Sequence, residues 1–207
     1  MTGDADYLVR AARHLAARGL SPGSSSNLSV RIGTRILLTP TGSSLSRVEA
    51  ADLSEVSLED GTVRTGRPSK EYPLHLAMYR QRPDATAVVH LHSPYATAIS
   101  CLPPDEQGRA ALPPLTPYRV MRLGDVPVAP YAAPGSAELA AGVELLAARA
   151  AVLLLAQHGS VVSGEGIDAA VDLAEELETA AQVTLLLHGR DPRTLPPDEL
   201  AALRPPP

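Results

Sequence analysis

The sequence predicts an α/β fold in a single domain. Apolar runs typical of strands alternate with segments of helical periodicity along the 207-residue chain, which is the pattern of α/β folds. At roughly 150 residues per domain this length suits one domain, and the chain has neither an internal repeat nor an interdomain linker. We therefore expect one domain over residues 1–207, in which residues 203–207 form a frayed tail because the prolines there cannot continue a helix.

Hydrophobic periodicity places the elements in order along the chain. Apolar residues recur at helical spacing over residues 5–18, and Gly19 follows at the position where a helix often ends. Two short strands come next, joined by Gly33 and Thr34 in a predicted hairpin, while the proline-rich residues 103–117 are interpreted as one long loop. The predicted elements after the first helix are strands at 28–32 and 35–39, a helix at 71–79, a strand at 85–91, a helix at 137–150, a strand at 151–155 and a helix at 167–187.

The composition argues against several classes of function. The net charge is −5 and no block of five like charges occurs, which argues against a nucleic-acid-binding surface. No stretch of 18 apolar residues is present, and the acidic N-terminal segment is unlike a secretory signal. The only cysteine, Cys101, cannot form an intramolecular disulfide. We expect a cytoplasmic protein that acts on a small molecule and binds neither nucleic acid nor membranes.

Three of the six histidines end or follow apolar runs that are typical of buried strands. His90 and His92 lie two residues apart, so on a strand their imidazoles project from the same face. They are either two independently hydrogen-bonded histidines at a strand end or two ligands of a shared divalent metal. If the strand that finishes in His158 is a neighbour, three imidazoles leave one coordination position open, which is the arrangement of catalytic zinc sites.

The other histidines have different expected roles. His75 follows Glu71 by four residues, which places the two on one helical face, so His75 is a candidate partner behind the site. His14 and His188 lie on predicted helix faces and are interpreted as surface or hydrogen-bonded residues.

Lys70 is the only lysine in a chain with 17 arginines. An ammonium is a compact charge that can lose its proton when desolvated, so Lys70 beside the carboxylate of Glu71 is a candidate for chemistry or anion binding. The alternative is a chance lysine in an exposed loop. The hydroxyl- and glycine-rich loops at 23–27 and 39–44 are either plain turns or a cradle for a phosphate group.

Five segments, in this order, resemble the class II aldolase/adducin family. They are SNLSVR at 26–31, LTPTG at 38–42, PSKE at 68–71, AVVHLHS at 87–93 and LAQHG at 155–159. The resemblance covers nearly the whole chain and departs at Ser26, where the family often has glycine. It implies a central, largely antiparallel sheet flanked by helices, usually assembled as a homotetramer with sites at the subunit interfaces.

The resemblance also implies roles for individual residues. Zinc, one ion per chain with manganese as the alternative, is expected on His90, His92 and His158. Glu71 is expected to be the acid/base residue and also to ligate the metal when substrate is absent. The residues that match the phosphate-binding positions of the family are Asn27, Thr41, Gly42 and Ser69.

Within the family the chain is similar to members that decarboxylate a 3-oxo-tetronate 4-phosphate, a phosphorylated four-carbon sugar acid. The similarity rests on Lys70, where sugar-phosphate aldolases commonly carry serine, on the tract at 89–93 and on the segment at 116–127. Tyr118 in that segment matches a tyrosine that reaches the neighbouring subunit's site in the aldolases. The alternatives are an aldolase or epimerase acting on L-fuculose 1-phosphate or L-ribulose 5-phosphate, and a non-catalytic adducin-like module.

Overall fold

The computed structural model describes residues 2–203, and these residues form one eight-stranded sheet. The strands are β1 Asn27–Ile32, β2 Arg35–Leu38, β3 Ser54–Ser57, β4 Val63–Thr65, β5 Ala87–Leu91, β6 Val128–Ala129, β7 Val152–Leu155 and β8 Gly159–Gly164. They pair in the order β4-β3-β2-β1-β5-β8-β7-β6. Only β6 and β7 run parallel. The expected central, largely antiparallel sheet is confirmed.

Helices cover both faces of this sheet. They are α1 Thr2–Ala17, α2 Tyr72–Gln81, α3 Pro94–Ser100, α4 Ala137–Ala147, α5 Ile167–Leu186 and α6 Pro197–Leu203. The helices α1, α3 and α5 share one buried apolar cluster with the sheet, and α2 and α4 share a second cluster on the opposite face. The predicted α/β class is therefore confirmed. Across residues 2–203, none of the helices combines the length and apolar character needed to cross a bilayer.

The strand β5 lies in the middle of the sheet, between β1 and β8. All of its side chains are buried, as expected for a strand that is covered on both faces. Val89 packs into the cluster of α1, α3 and α5, whereas Val88 packs into the cluster of α2 and α4. Because side chains alternate along a strand, His90 shares the face of Val88 and projects toward the α2 side.

The structure also contains short elements that hydrophobic periodicity does not predict. The strands β3, β4, β6 and β8, the helices α3 and α6, and a π-helical turn at Arg119–Leu123 each span seven residues or fewer, so each offers little more than one or two periods of a pattern. Two differences from the predictions affect the site. Glu71 precedes α2 as its N-cap and does not lie within the helix. The strand predicted at 151–155 ends at Leu155 as β7 does, but His158 lies three residues beyond it and does not finish a strand.

At the C-terminal end, the predicted tail begins too early. Leu203 is the last residue of α6, so it does not belong to a frayed segment. The rest of the predicted tail, 204–207, lies outside the described residues.

Candidate metal centre

Three histidines converge at the end of β5. His90 lies near the end of that strand, opposite Asn27 of β1 and Val161 of β8, and His92 follows directly after the strand. His158 lies in the turn between β7 and β8, not at a strand end as predicted. The ring centroids of the three imidazoles lie 4.8 to 5.1 Å apart.

The turn that carries His158 depends on close backbone packing. Gly159 begins β8 beside the end of β5, where a Cβ would clash with the carbonyl oxygen of Leu91. Gln157 adopts the left-handed backbone region with a φ of 57°, which is uncommon for a residue other than glycine. The amide of His158 is held by the Ser100 hydroxyl at 3.3 Å. The turn therefore has little freedom to move His158 away from the other two histidines.

Glu71 completes a four-residue cluster. One candidate ligand atom from each of Glu71, His90, His92 and His158 lies within 4.8 Å of the others. Glu71 Oε2 lies 3.2 Å from His90 Nε2, and Glu71 Oε1 lies 3.2 Å from His158 Nε2. His92 Nε2 lies 3.0 Å from His90 Nε2, so these two histidines are not the independently hydrogen-bonded pair that the sequence also allows.

The cluster leaves buried polar atoms unsatisfied. His90 Nδ1 donates to the carbonyl oxygen of Ser160 at 2.8 Å, so Nε2 is the ring nitrogen that faces the cluster and is in position to bind a cation. Glu71 Oε1 and His158 Nε2 are buried and have no hydrogen-bond partner, which is costly for polar atoms. A divalent cation satisfies these atoms, and imidazole nitrogens with a carboxylate oxygen are a donor set that such ions accept. The residues therefore fit a metal.

The protonation states of the cluster also suit a metal. Burial by itself raises the pKa of Glu71, but the close approach of the His158 and His90 imidazoles to its carboxylate outweighs burial and holds the pKa of this carboxyl well below its ordinary range. Burial, and then the charges of His90 and His158, lower the pKa of His92 to about 4. At neutral pH Glu71 is ionised and His92 is neutral, which are the forms that bind metals.

A cavity of about 630 Å³ opens beside this cluster. Residues of both predicted phosphate loops line it: Ser24 and Ser25 come from the loop at 23–27, and Thr41 and Gly42 come from the loop at 39–44. Backbone hydrogen bonds join the second loop to the segment that carries Ser69: the Thr41 amide donates to the Arg67 carbonyl at 3.0 Å, and the Ser69 amide donates to the Thr39 carbonyl at 3.3 Å. The lining residues of the cavity are Ser24, Ser25, Thr41, Gly42, Ser69, Lys70, Glu71, His92, Tyr131, Pro134, Gln157 and His158.

Lys70 is exposed and lines this cavity next to Ser69 and Glu71. Its backbone packs against Gly135, where a Cβ would lie 2.9 Å from the Lys70 carbonyl oxygen. Gly135 also has a φ of 80°, which favours glycine. The loop that carries Gly135 therefore forms the wall of the cavity beside Lys70.

The remaining candidate residues lie outside the cavity wall. Tyr118 is 65% exposed and does not line the cavity within its own chain, whereas Tyr131 does. Asn27 and His75 are buried behind Glu71 and not in the cavity wall. On the surface, as expected for residues outside the site, His14 pairs with Glu175 and His188 is exposed.

Sequence reasoning misses residues that hold the backbone around the cluster. The Ser26 hydroxyl accepts a hydrogen bond from the His92 amide at 3.3 Å, at the position where the family often has glycine. Glu178 of α5 is buried and accepts hydrogen bonds from the Ser93 hydroxyl at 2.7 Å and from the amides of Tyr95 and Ala96 at 2.9 and 2.8 Å. Glu178 looks like an ordinary polar helix residue in the sequence, so only the contact identifies it.

The chain is similar to known proteins over almost its full length. A profile of the Class II Aldolase and Adducin N-terminal domain matches residues 6–185. A 3-oxo-tetronate 4-phosphate decarboxylase of Pectobacterium atrosepticum is 45% identical over 95% of this chain and 90% of that protein. An L-fuculose phosphate aldolase of Methanocaldococcus jannaschii is 35% identical over 88% of this chain and 96% of that protein.

A solved structure has the same fold as this chain. The crystal structure of YgbL from Klebsiella pneumoniae superposes with a TM-score of 0.93 at 41% identity, covering 98% of each chain. The resemblance inferred from the sequence is confirmed, and the chain is an enzyme with lyase activity. It belongs to the class II aldolase and adducin family.

Proposed function

We propose that this enzyme is a zinc-dependent 3-oxo-tetronate 4-phosphate decarboxylase, which releases CO₂ and dihydroxyacetone phosphate. The observation that carries the proposal is the convergence of His90, His92, His158 and Glu71 beside a cavity that also presents Lys70. The decarboxylases of this name that the chain matches, at up to 45% identity, support the choice of reaction.

The donor set favours zinc over manganese. Three imidazoles and one carboxylate are typical of zinc, whereas manganese prefers oxygen-rich sites. A bound divalent metal supplies a Lewis acid that stabilises negative charge developing on the substrate oxygens. We propose one ion per chain.

The reaction breaks one carbon–carbon bond and adds one proton. The bond between C1 and C2 breaks, C1 leaves as CO₂, and its electron pair delocalises from C2 into the C3 ketone as an enediolate. Protonation at C2 by a proton that comes from solvent then gives dihydroxyacetone phosphate. Glu71 is the proposed proton-transfer residue, which takes up the solvent proton and passes it to C2, because its carboxylate is in both the cluster and the cavity wall.

The cavity suggests how the two ends of the substrate are held. Gly42 offers its backbone amide for the phosphate, and Thr41 and Ser69 offer their hydroxyls. Lys70 supplies a positive charge for an anionic group, which we take to be the carboxylate that departs. In line with what the family resemblance implies, we also propose that the protein is a cytoplasmic homotetramer, in which Tyr118 reaches the site of the neighbouring subunit.

The products distinguish this proposal from its alternative. Metal-loaded protein incubated with synthetic 3-oxo-tetronate 4-phosphate is expected to release CO₂ and dihydroxyacetone phosphate in equal amounts, without an aldehyde. The second candidate, an L-fuculose 1-phosphate aldolase, is favoured by the match to aldolases of that kind. Cleavage of L-fuculose 1-phosphate, with no CO₂ from the tetronate, would replace the proposed reaction with this one.

Replacing Lys70 tests the choice of decarboxylase over aldolase. A charge-assisted contact contributes roughly 1.5–3 kcal/mol, so Lys70→Ser is expected to lower kcat/KM for decarboxylation by about 10- to 150-fold while metal content stays unchanged. Lys70→Arg is expected to restore only part of the loss, because a forked guanidinium does not occupy the place of an ammonium. Arg67→Ser, a charge removed from the same loop but outside the cavity wall, is the control. Parental kinetics in Lys70→Ser would make Lys70 a bystander.

A further inference from the structure

A ladder of buried polar side chains lies behind Glu71, between β1 and α2. Glu71, His75 and Tyr79 recur every four residues along α2 and its N-cap, and Asn27 and Ser29 lie two residues apart on β1. Four residues of helix rise about 6 Å, and two residues of strand span about 6.8 Å. Because these spacings nearly match, side chains from the helix and the strand alternate along one line. All five residues are buried.

Hydrogen bonds connect every step of the ladder. The Tyr79 hydroxyl lies 2.9 Å from Ser29 Oγ, and Ser29 Oγ lies 2.8 Å from His75 Nδ1. His75 Nε2 lies 2.5 Å from Asn27 Oδ1, and Asn27 Nδ2 donates to Glu71 Oε2 at 3.2 Å. The ladder therefore ends on the carboxylate of the metal cluster.

The orientation of the Asn27 amide determines where the protons of the ladder lie. Its NH₂ group faces Glu71 and its carbonyl oxygen faces His75. Burial, and then the charge of His90, lower the pKa of His75 to about 3, so the ring is neutral and has one N–H. That hydrogen is on Nε2, because a carbonyl oxygen faces it, and Nδ1 accepts from the Ser29 hydroxyl.

We propose that Asn27 and His75 are positioning residues that hold the Glu71 carboxylate for proton transfer, and that Asn27 does not bind the substrate phosphate. Asn27 is only 2% exposed and lies outside the cavity wall, unlike Ser69. Its amide already donates to Glu71, and each bond in a buried chain polarises the next. The inference rests on the proposed role of Glu71, and it reassigns Asn27 from the role that the family resemblance implies.

Two changes at His75 separate the two hydrogen bonds of its ring. Glutamine places its terminal amide nitrogen near the position of Nε2, so His75→Gln keeps the donor to Asn27. Asparagine places its amide near the position of Nδ1, so His75→Asn keeps a partner for Ser29 and loses that donor. We expect His75→Asn to lower kcat by about 10- to 100-fold, which is the usual loss when a residue that orients a metal ligand is replaced. We expect the kcat of His75→Gln to stay within about threefold of the parent value, because the donor to Asn27 is kept.

Equal losses of kcat in the two His75 variants, at similar thermal stability, would overturn the proposal. A purely structural role predicts that equality, because both variants replace a buried ring with a smaller amide.

Binding of inorganic phosphate, measured by calorimetry, distinguishes positioning from phosphate recognition. We expect Asn27→Ala to lower kcat as His75→Asn does, while the Kd for phosphate stays within about twofold of the parent, since no phosphate contact is lost. Ser69→Ala, a change in the cavity wall, is expected to weaken phosphate binding and serves as the positive control. A large rise in the phosphate Kd of Asn27→Ala, with kcat retained, would return Asn27 to phosphate binding.

The unaltered protein supplies a measurement that needs neither a variant nor activity. Nitrogen-15 NMR of the imidazoles is expected to place the His75 proton on Nε2, and a proton on Nδ1 would overturn the proposal. If the tetronate is not decarboxylated while His75 is in the Nε2–H form, the proposed reaction fails and the positioning of Glu71 stands.

Discussion

His92→Ala is expected to abolish stoichiometric metal binding and to lower kcat/KM by at least about 10³-fold, because losing the Lewis acid removes several kcal/mol of stabilisation from the transition state. His92 is the preferred first variant, since it is partly exposed whereas His90 is fully buried. Metal content by mass spectrometry and kcat/KM are measured on the same preparation. His90→Ala and His158→Ala are expected to behave in the same way.

His14→Ala is the matched control for these variants. It removes an exposed imidazole that pairs with Glu175 at 2.9 Å, outside the cluster, so metal content and kcat/KM are expected to match the parent. A protein with both His90→Ala and His92→Ala that still held one metal per chain would contradict the assignment of the ligands.

The convergence of the histidines is predictable in part from the sequence. The spacing of His90 and His92 requires a shared face on any strand, and this face does not depend on the rest of the fold. The position of His158 beside them depends on β8 pairing with both β5 and β7. The pairing of β7 with β8 is a local hairpin, but the pairing of β5 with β8 joins segments that are far apart in the chain. Because β8 is also a short strand that begins and ends with glycine, no local pattern predicts the second pairing.

The sequence contains a signal for the position of Glu71. Pro73 lies in the first turn of α2, and proline there marks the start of a helix. This proline places Glu71 before the helix and not inside it. The same signal, Pro94, marks the start of α3 two residues after His92.

Part of the cavity wall could not be predicted by a local rule. Tyr131 and Gln157 reach it from segments far apart in the chain. The carboxylate of Glu178 supports the segment after His92 from a helix more than 80 residues away. Such contacts follow from the packing of α5 across the sheet. The periodicity of a helix predicts which of its faces is buried, but it does not predict which segment packs against that face.

Glu71→Gln is expected to lower kcat by about 10²- to 10⁴-fold, the usual range for a general acid–base residue, while the metal is retained. The amide keeps the size of the side chain and cannot transfer the proton, and three imidazoles are sufficient to hold a catalytic metal. Activity and metal content are again measured together.

Glu55→Gln is the matched control for Glu71→Gln. Glu55 is a partly buried carboxylate on β3 that pairs with Arg35 at 2.6 Å, outside the cavity wall. The same chemical change there is expected to leave kcat near the parent value, so any loss at Glu71 reflects its place in the site. Two results would contradict the role of Glu71. Parental kcat in Glu71→Gln would exclude proton transfer by this residue, and loss of the metal would make Glu71 an essential ligand instead.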